Sequence, residues 1–522
     1  MAKSSSSQPN LQEVQTLVNA LNNGQLAQAE RLAKDLIAKH AGVFILHHVL
    51  SLALDGQQKF AEAVASYKNA LKLQPEEFNH SPADLLFNLG IALTHLNKLD
   101  EAATTYQQTV KINPNFFEAF GNLGTVLQRQ GKLEEAIANY QKGLKINPQD
   151  ARGYFNLGTA LRDSGDLQAA VNSYEKAIDL FPNYTDAHNN LGETLRDQGN
   201  MEEAVRCYQA ALALNSSHAN ANYNMAEFLY LTKQYDAAIP YFERSQLDDW
   251  QERRLVCLYK AEKFDAFKAN RDALAGGTKN TSPFLATLST HYSINFNEPD
   301  PYNFCKNGLD FVYQNSILDK NSALLKDLLN DIHTADIAER KQGRLTNGQQ
   351  SAGNLFKRPE ASFRALAELI KQEFLNYKNK YAGADCELIH SFPTELEFTS
   401  SWYVKMQQGG HLSAHIHEIG WISGAVYLAM PTPKVNSVEG AFEYGTHGDD
   451  YPIKQLTQHP ESQHLESQHP ENQQKFPVAN VLPKVGDIVL FPSSLFHRTI
   501  PYNSNQERIC IAFDLKPNGH KS

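Results

Sequence analysis

The chain has 522 residues, enough for two to four domains of ordinary size. Its 48 Lys and Arg against 58 Asp and Glu leave a net charge of −10, which argues against a general binder of nucleic-acid backbones. Hydrophobic residues at 42% supply sizeable cores and exclude a disordered chain, and no stretch reaches the roughly 18 apolar residues of a membrane helix.

Residues 1–9 have no apolar run behind Lys3, so they read as a disordered tail and not as a signal peptide. The five cysteines (Cys207, Cys257, Cys305, Cys386, Cys510) are scattered, odd in number and lack a CxxC pair. They are expected to be reduced thiols in a cytoplasmic protein with neither a nucleic-acid nor a membrane partner.

A strict period follows. Ala102, Ala136, Ala170, Ala204 and Ala238 recur at one constant step, as do Tyr106, Tyr140, Tyr174 and Tyr208, then Phe242. Gly90, Gly124, Gly158 and Gly192 keep the same step, as do Pro114, Pro148 and Pro182. Small residues let two helices approach, the aromatic is expected to fill space between neighbouring repeats, and the proline stops the second helix. A helix pair cannot bury its apolar face alone, so the pairs stack. Both the step and the residue pattern are those of the tetratricopeptide repeat, with about seven units over residues 10–268.

Asn88, Asn122, Asn156, Asn190 and Asn224 recur at the same step, each two positions before the small residue. Asparagine is a mediocre helix former, so five in register need a reason. A carboxamide offers one acceptor and two donors, which suits a peptide backbone. The series resembles the repeat superhelix of O-linked GlcNAc transferases, where an asparagine ladder grips extended peptides. A protein or peptide partner is therefore expected at these five residues; the other reading is local bonding between repeats. The glycosyltransferase half of that family has no counterpart here.

After about Lys268 the period fails. Residues 269–314, with Gly276-Gly277 and turn residues at 295–301, are predicted to be a connector. Segments 322–337 and 359–381 read as amphipathic helices; Leu324, Leu325, Leu328, Leu329 and Ile332 form one stripe. Residues 457–475 hold near-identical Gln-His-Pro-Glu-Ser units, with His459, His464 and His469 evenly spaced. That spacing fits no helix or strand face, so a disordered insert is expected over a metal-binding tract. His291, His333, His390 and His447 stand alone and read as surface or core histidines.

From about Glu397 short β runs begin, at 402–406, 422–428, 487–491 and 508–515, suggesting an antiparallel barrel or jelly roll. Residues i and i+2 of a strand share a face, so His415 and His417 can both point inward. His497, far along the chain in Phe491-Pro492-Ser493-Ser494-Leu495-Phe496-His497, could complete one face of a metal with open positions left over. Arg508 is suited to clamp a carboxylate, and its strand is expected to pair with the one leading to His497.

These pieces, with Thr346-Asn347-Gly348-Gln349-Gln350, Asn354-Leu355-Phe356 and 421–428, resemble the Fe(II)/2-oxoglutarate oxygenase family. The resemblance implies a double-stranded β-helix (jelly roll) with flanking helices over residues 315–518, behind the all-α repeat superhelix. It implies Fe(II) with 2-oxoglutarate as co-substrate, His415 and His497 as metal ligands, and Arg508 as the 2-oxoglutarate ligand. The family pattern places Asp or Glu where this chain has His417. A three-His metal site, a two-His site completed by water, a bulge that turns Glu418 inward, a zinc cluster of His411, His415 and His417, and a degenerate barrel all stay open. Cys510 stands where a Ser is common, and a thiol is a weaker hydrogen-bond partner. The expected function is hydroxylation of a protein or peptide presented by the repeats; the alternative is a repeat-based interaction scaffold.

Overall fold

The computed structural model describes residues 8–73, 82–277, 280–340, 343–432, 437–454 and 476–516. The expected tail (apart from residues 8 and 9) and the His/Gln-rich loop at 457–475 lie outside the described residues. The chain divides into two compact units, Met1–Thr232 with Arg244–Leu247, and Lys233–Glu243 with Asp248–Ser522. No described helix is long and apolar enough to cross a membrane.

The first unit is a run of helix pairs: α1 (Leu11–Asn22) and α2 (Leu26–Lys39), α3 (Phe44–Gly56) and α4 (Phe60–Leu73), α5 (Pro82–His95) and α6 (Leu99–Ile112). Next come α7 (Phe117–Arg129) and α8 (Leu133–Ile146), α9 (Ala151–Asp163) and α10 (Leu167–Leu180), and α11 (Thr185–Asp197) and α12 (Met201–Leu214). The last pair is α13 (Ala219–Leu231) and α14 (Tyr235–Ser245), and the boundary between units falls within α14. The periodic tyrosines are at most 1% exposed. Each lies against the glycine of its own pair, and Tyr106 also reaches the next pair, where Asn122 Nδ2 meets its hydroxyl. A Cβ on Gly90 would come within 2.5 Å of the Tyr106 ring, and one on Gly124 within 2.7 Å of Tyr140. We expect Gly124→Val to destabilise the repeats by about 1–3 kcal/mol through overpacking, read as a lower urea midpoint.

The second unit begins earlier than residue 268. It takes in α15 (Trp250–Lys260), α16 (Phe264–Gly277) and α17 (Pro283–Phe296). The expected connector at 269–314 thus holds a helix. Its Ser, Thr and His residues read as loop in sequence, but they find specific partners: Thr287 Oγ1 donates to the Ser494 carbonyl (2.7 Å) and Ser289 Oγ to Asp300 (2.6 Å). Polar side chains satisfied in this way let α17 be buried nearly all round.

The strands are β1 (Tyr313–Ser316), β2 (Glu339–Arg340), β3 (Leu345–Ser351), β4 (Phe398–Leu412) and β5 (Ile422–Ala429), then β6 (Phe442–Gly445), β7 (Val478–Val481), β8 (Asp487–Pro492), β9 (Phe496–Thr499) and β10 (Arg508–Leu515). They form a seven-stranded sheet in the order β1-β8-β5-β10-β4-β3-β2 and a three-stranded sheet in the order β7-β6-β9. Every pairing is antiparallel, as a jelly roll requires. Helices α18 (Ala323–Thr334), α19 (Ala361–Lys380) and α20 (Glu387–His390) belong to this unit. The predicted stripe on α18 buries Leu325, Leu328 and Ile332. Between the sheets, Val404, Tyr427, Phe442, Val489 and Phe491 make an apolar core.

Candidate metal centre

β4 ends at Leu412, and the chain leaves regular strand before His415. A single antiparallel bridge holds it there: His415 N–H donates to the His497 carbonyl (3.1 Å) and His497 N–H to the His415 carbonyl (2.9 Å). His497 sits on β9, opposite Tyr444 of β6. Backbone pairing therefore brings together two histidines that are distant in sequence, and His417 follows two positions on. The ring centroids lie 4.3 Å (His415–His497), 4.9 Å (His417–His497) and 5.4 Å (His415–His417) apart. One ring nitrogen from each lies within 4.8 Å of the others, so the cluster can hold a metal ion.

The Nδ1 atoms are all engaged. His415 Nδ1 donates to the Ser413 carbonyl (2.8 Å), His497 Nδ1 to the Leu495 carbonyl (3.3 Å) and His417 Nδ1 to the Asp514 carboxylate (2.5 Å). His417 Nδ1 also lies 3.0 Å from Ser423 Oγ. Carbonyl and carboxylate oxygens only accept, so each Nδ1 carries a proton and Nε2 is the ring nitrogen left to face a metal. Burial, then the neighbouring His417, pulls His415 down to about 3. Burial, then His415 and His417, holds His497 well below the ordinary histidine value. Both rings are neutral at pH 7.

A pH dependence follows. Between pH 6.5 and about 3 the unfolded chain takes up a proton at His415 that the folded chain resists, so metal-free stability falls as pH drops through that window. Above it His415 adds nothing. Urea midpoints at pH 5 and pH 7.5 should differ less in His415→Asn than in the unaltered protein.

Glu418 does not turn inward; it pairs with Arg253 at 3.0 Å. His411 Nδ1 bonds to the Gly409 carbonyl and stays out of the cluster. Arg508 shares a cavity of about 410 Å³ with the three histidines. Its strand was expected beside the one leading to His497, but β10 lies between β4 and β5, with Arg508 opposite Met406. The residue is 2% exposed. Its guanidinium lies 5.1 Å from the Tyr427 ring centroid, Nη1 meets the sulfurs of Met406 and Cys510 at 3.8 Å, and Nε has no hydrogen-bond partner among the described residues. No carboxylate pairs with this buried cation among the described residues. Trp402, 5.5 Å from the His417 ring, and Tyr427 line this cavity; Tyr403 and Trp421 bond elsewhere, to Glu339 and the Leu388 carbonyl.

Sequence reasoning missed Asp514. It is 4% exposed and accepts hydrogen bonds from His417, Ser423 Oγ (2.6 Å) and Ser400 Oγ (2.9 Å). Burial pushes its carboxyl up, but His417 and the two hydroxyls outweigh that and hold it below the usual carboxylate value. The signal was present: Arg508, Cys510, Ala512 and Asp514 alternate along β10 and all line the cavity. His291 and His447, read as isolated, bond to each other at 2.8 Å.

On the repeats, Asn88, Asn122, Asn156 and Asn190 are partly exposed. Asn122 Nδ2 reaches the Tyr106 hydroxyl (3.5 Å), and the Asn190 side-chain oxygen accepts from Asn189 (3.2 Å). Asn224 departs from the ladder. It is 8% exposed, and Asn189, Glu193 and Arg196 take up its carboxamide.

Residues 400–514 match the family described as Putative 2OG-Fe(II) oxygenase. Residues 48–115, 116–183, 161–210 and 189–252 match tetratricopeptide-repeat families. The chain thus carries tetratricopeptide repeats followed by a domain of the 2OG-Fe(II) oxygenase family, a class to which Fe(II) and 2-oxoglutarate belong. Human Protein O-mannosyl-transferase TMTC1 is 33% identical over 99 residues, 19% of this chain and only 11% of that protein's length. Among solved structures, MamA from Desulfovibrio magneticus RS-1 is 24% identical (33% of this chain, 96% of that one, TM-score 0.31). The C-terminal part of a TPR repeat-containing protein from Cytophaga hutchinsonii is 16% identical (44% and 93%, TM-score 0.39). YrrB, described as a TPR protein with an unusual peptide-binding site, is 22% identical (36% and 95%, TM-score 0.31).

Proposed function

We propose that this protein is an Fe(II)- and 2-oxoglutarate-dependent dioxygenase that hydroxylates a protein or peptide recruited by its repeats. One observation carries the reading: three imidazoles with free Nε2 atoms share one cavity with a buried guanidinium that lacks a carboxylate. Those donors fit a divalent metal, and that cation fits the far carboxylate of 2-oxoglutarate. When bound, Fe(II) with 2-oxoglutarate and dioxygen supplies oxidative decarboxylation to succinate and carbon dioxide, coupled to hydroxylation of a C–H bond.

The chain's own residues provide geometry. His415, His417 and His497 would hold the metal through Nε2, each ring fixed by its Nδ1 bond. Arg508 would set the orientation of the co-substrate. Val404, Leu412, Phe442 and Phe491 line the cavity with apolar surface that disfavours water. The deciding measurement is succinate release from 2-oxoglutarate with added Fe(II). Turnover abolished by His415→Ala supports the enzyme; none from the unaltered protein leaves the interaction-scaffold reading.

Tetratricopeptide repeats commonly bind proteins or peptides, and the partly exposed Asn122, Asn156 and Asn190 are the rungs proposed for this chain. Replacing all three by Ala should weaken an extended peptide recovered by pull-down by on the order of 1 kcal/mol per bond lost. The melting temperature should stay unchanged. Unweakened binding would remove the ladder from the account.

A further inference from the structure

We propose that Asp514 is the counter-charge of the metal centre, a positioning residue that acts on the metal through His417. The inference rests on His415, His417 and His497 being the metal ligands. Facial-triad iron sites ordinarily join two imidazoles to one carboxylate. Here all three donors are imidazoles, and the cavity is already lined by the Arg508 and Arg344 side chains. A divalent ion would add two more positive charges to a cavity with no anion among its protein ligands.

Asp514 is the only carboxylate among the described residues lining that cavity. Its Oδ1 accepts from His417 Nδ1 (2.5 Å) and Ser423 Oγ (2.6 Å), and its Oδ2 from Ser400 Oγ (2.9 Å). No described lysine or arginine pairs with it, and its one ion-pair partner is His417 itself. Glu418, the nearest carboxylate in sequence to His417, is committed to Arg253. A carboxylate hydrogen-bonded behind a ligand imidazole fixes the ring and strengthens Nε2 as a donor. The anion that the second ligand position lacks is therefore supplied one bond further out, from β10.

The test uses the full chain and titrates Co(II) and Fe(II) separately. Asp514→Asn keeps an acceptor for His417 and removes the charge. It should weaken both metals about 10–100-fold and alter the visible spectrum of the Co(II) form. Ser400→Ala leaves the charge in place and should stay within a few-fold of the unaltered protein. His417→Asp brings a carboxylate to the metal itself, so adding Asp514→Asn in that background should cost nothing or improve binding. Asp514→Asn with unchanged affinity and spectrum overturns the proposal, as does an equal loss in the His417→Asp background. If metal-free circular dichroism finds Asp514→Asn unfolded, Asp514→Thr takes its place with the same expected losses. An unaltered protein that takes up neither metal overturns the ligand assignment itself, a result distinct from any effect at Asp514.

Discussion

His497→Ala is expected to abolish metal binding and succinate release while leaving the barrel folded. The bridge between His415 and His497 is made by backbone atoms, so it survives loss of the ring. The ring itself is one of three donors, and no carboxylate or cysteine stands ready to replace it among the described residues of the cluster. Changes behind a ligand already cost about 10–100-fold in affinity, so loss of a ligand should exceed about 100-fold. Co(II) titration with circular dichroism as control decides it. A folded His497→Ala protein that binds Co(II) normally would remove the metal centre from the account.

Arg508→Met is expected to separate co-substrate from metal. Loss of one partner from a buried, hydrogen-bonded charge pair costs about 2–5 kcal/mol, which is about 30-fold or more in the apparent affinity for 2-oxoglutarate. Metal affinity should not fall, because Arg508 contacts none of the three rings and its charge opposes that of the ion. A second effect has the opposite sign. The guanidinium is buried without a carboxylate, so a neutral side chain of similar length should raise the melting temperature of the co-substrate-free protein. Unchanged dependence on 2-oxoglutarate would show that the cation serves another purpose.

The two halves of the chain were unequally legible. The repeat period is a local property stated many times over, so Gly90 with Tyr106, and each later pair, named the repeats without any tertiary information. α17 was illegible because its polar residues find their partners far away in the chain, Ser494 among them. Asn224 kept the period of the ladder, yet Glu193 and Arg196 from α11 take its carboxamide. Periodicity places a residue on a helix face; neighbours decide whether its side chain is available.

At the metal centre, the sequence by itself determined which residues have the right chemistry. His415 and His417 share a face at a spacing of two, and His497 and Arg508 stand in matching phrases much further along the chain. It left open whether His417 or Glu418 enters the cavity, and it gave no weight to Asp514. Tertiary structure decided both. Arg253 of α15 draws Glu418 outward, and the place of β10 between β4 and β5 sets Asp514 behind His417. The physical reason is that alternation along one strand fixes direction, whereas strand order and long-range charge pairing fix neighbours. Only neighbours turn three imidazoles, a buried cation and one carboxylate into a single site.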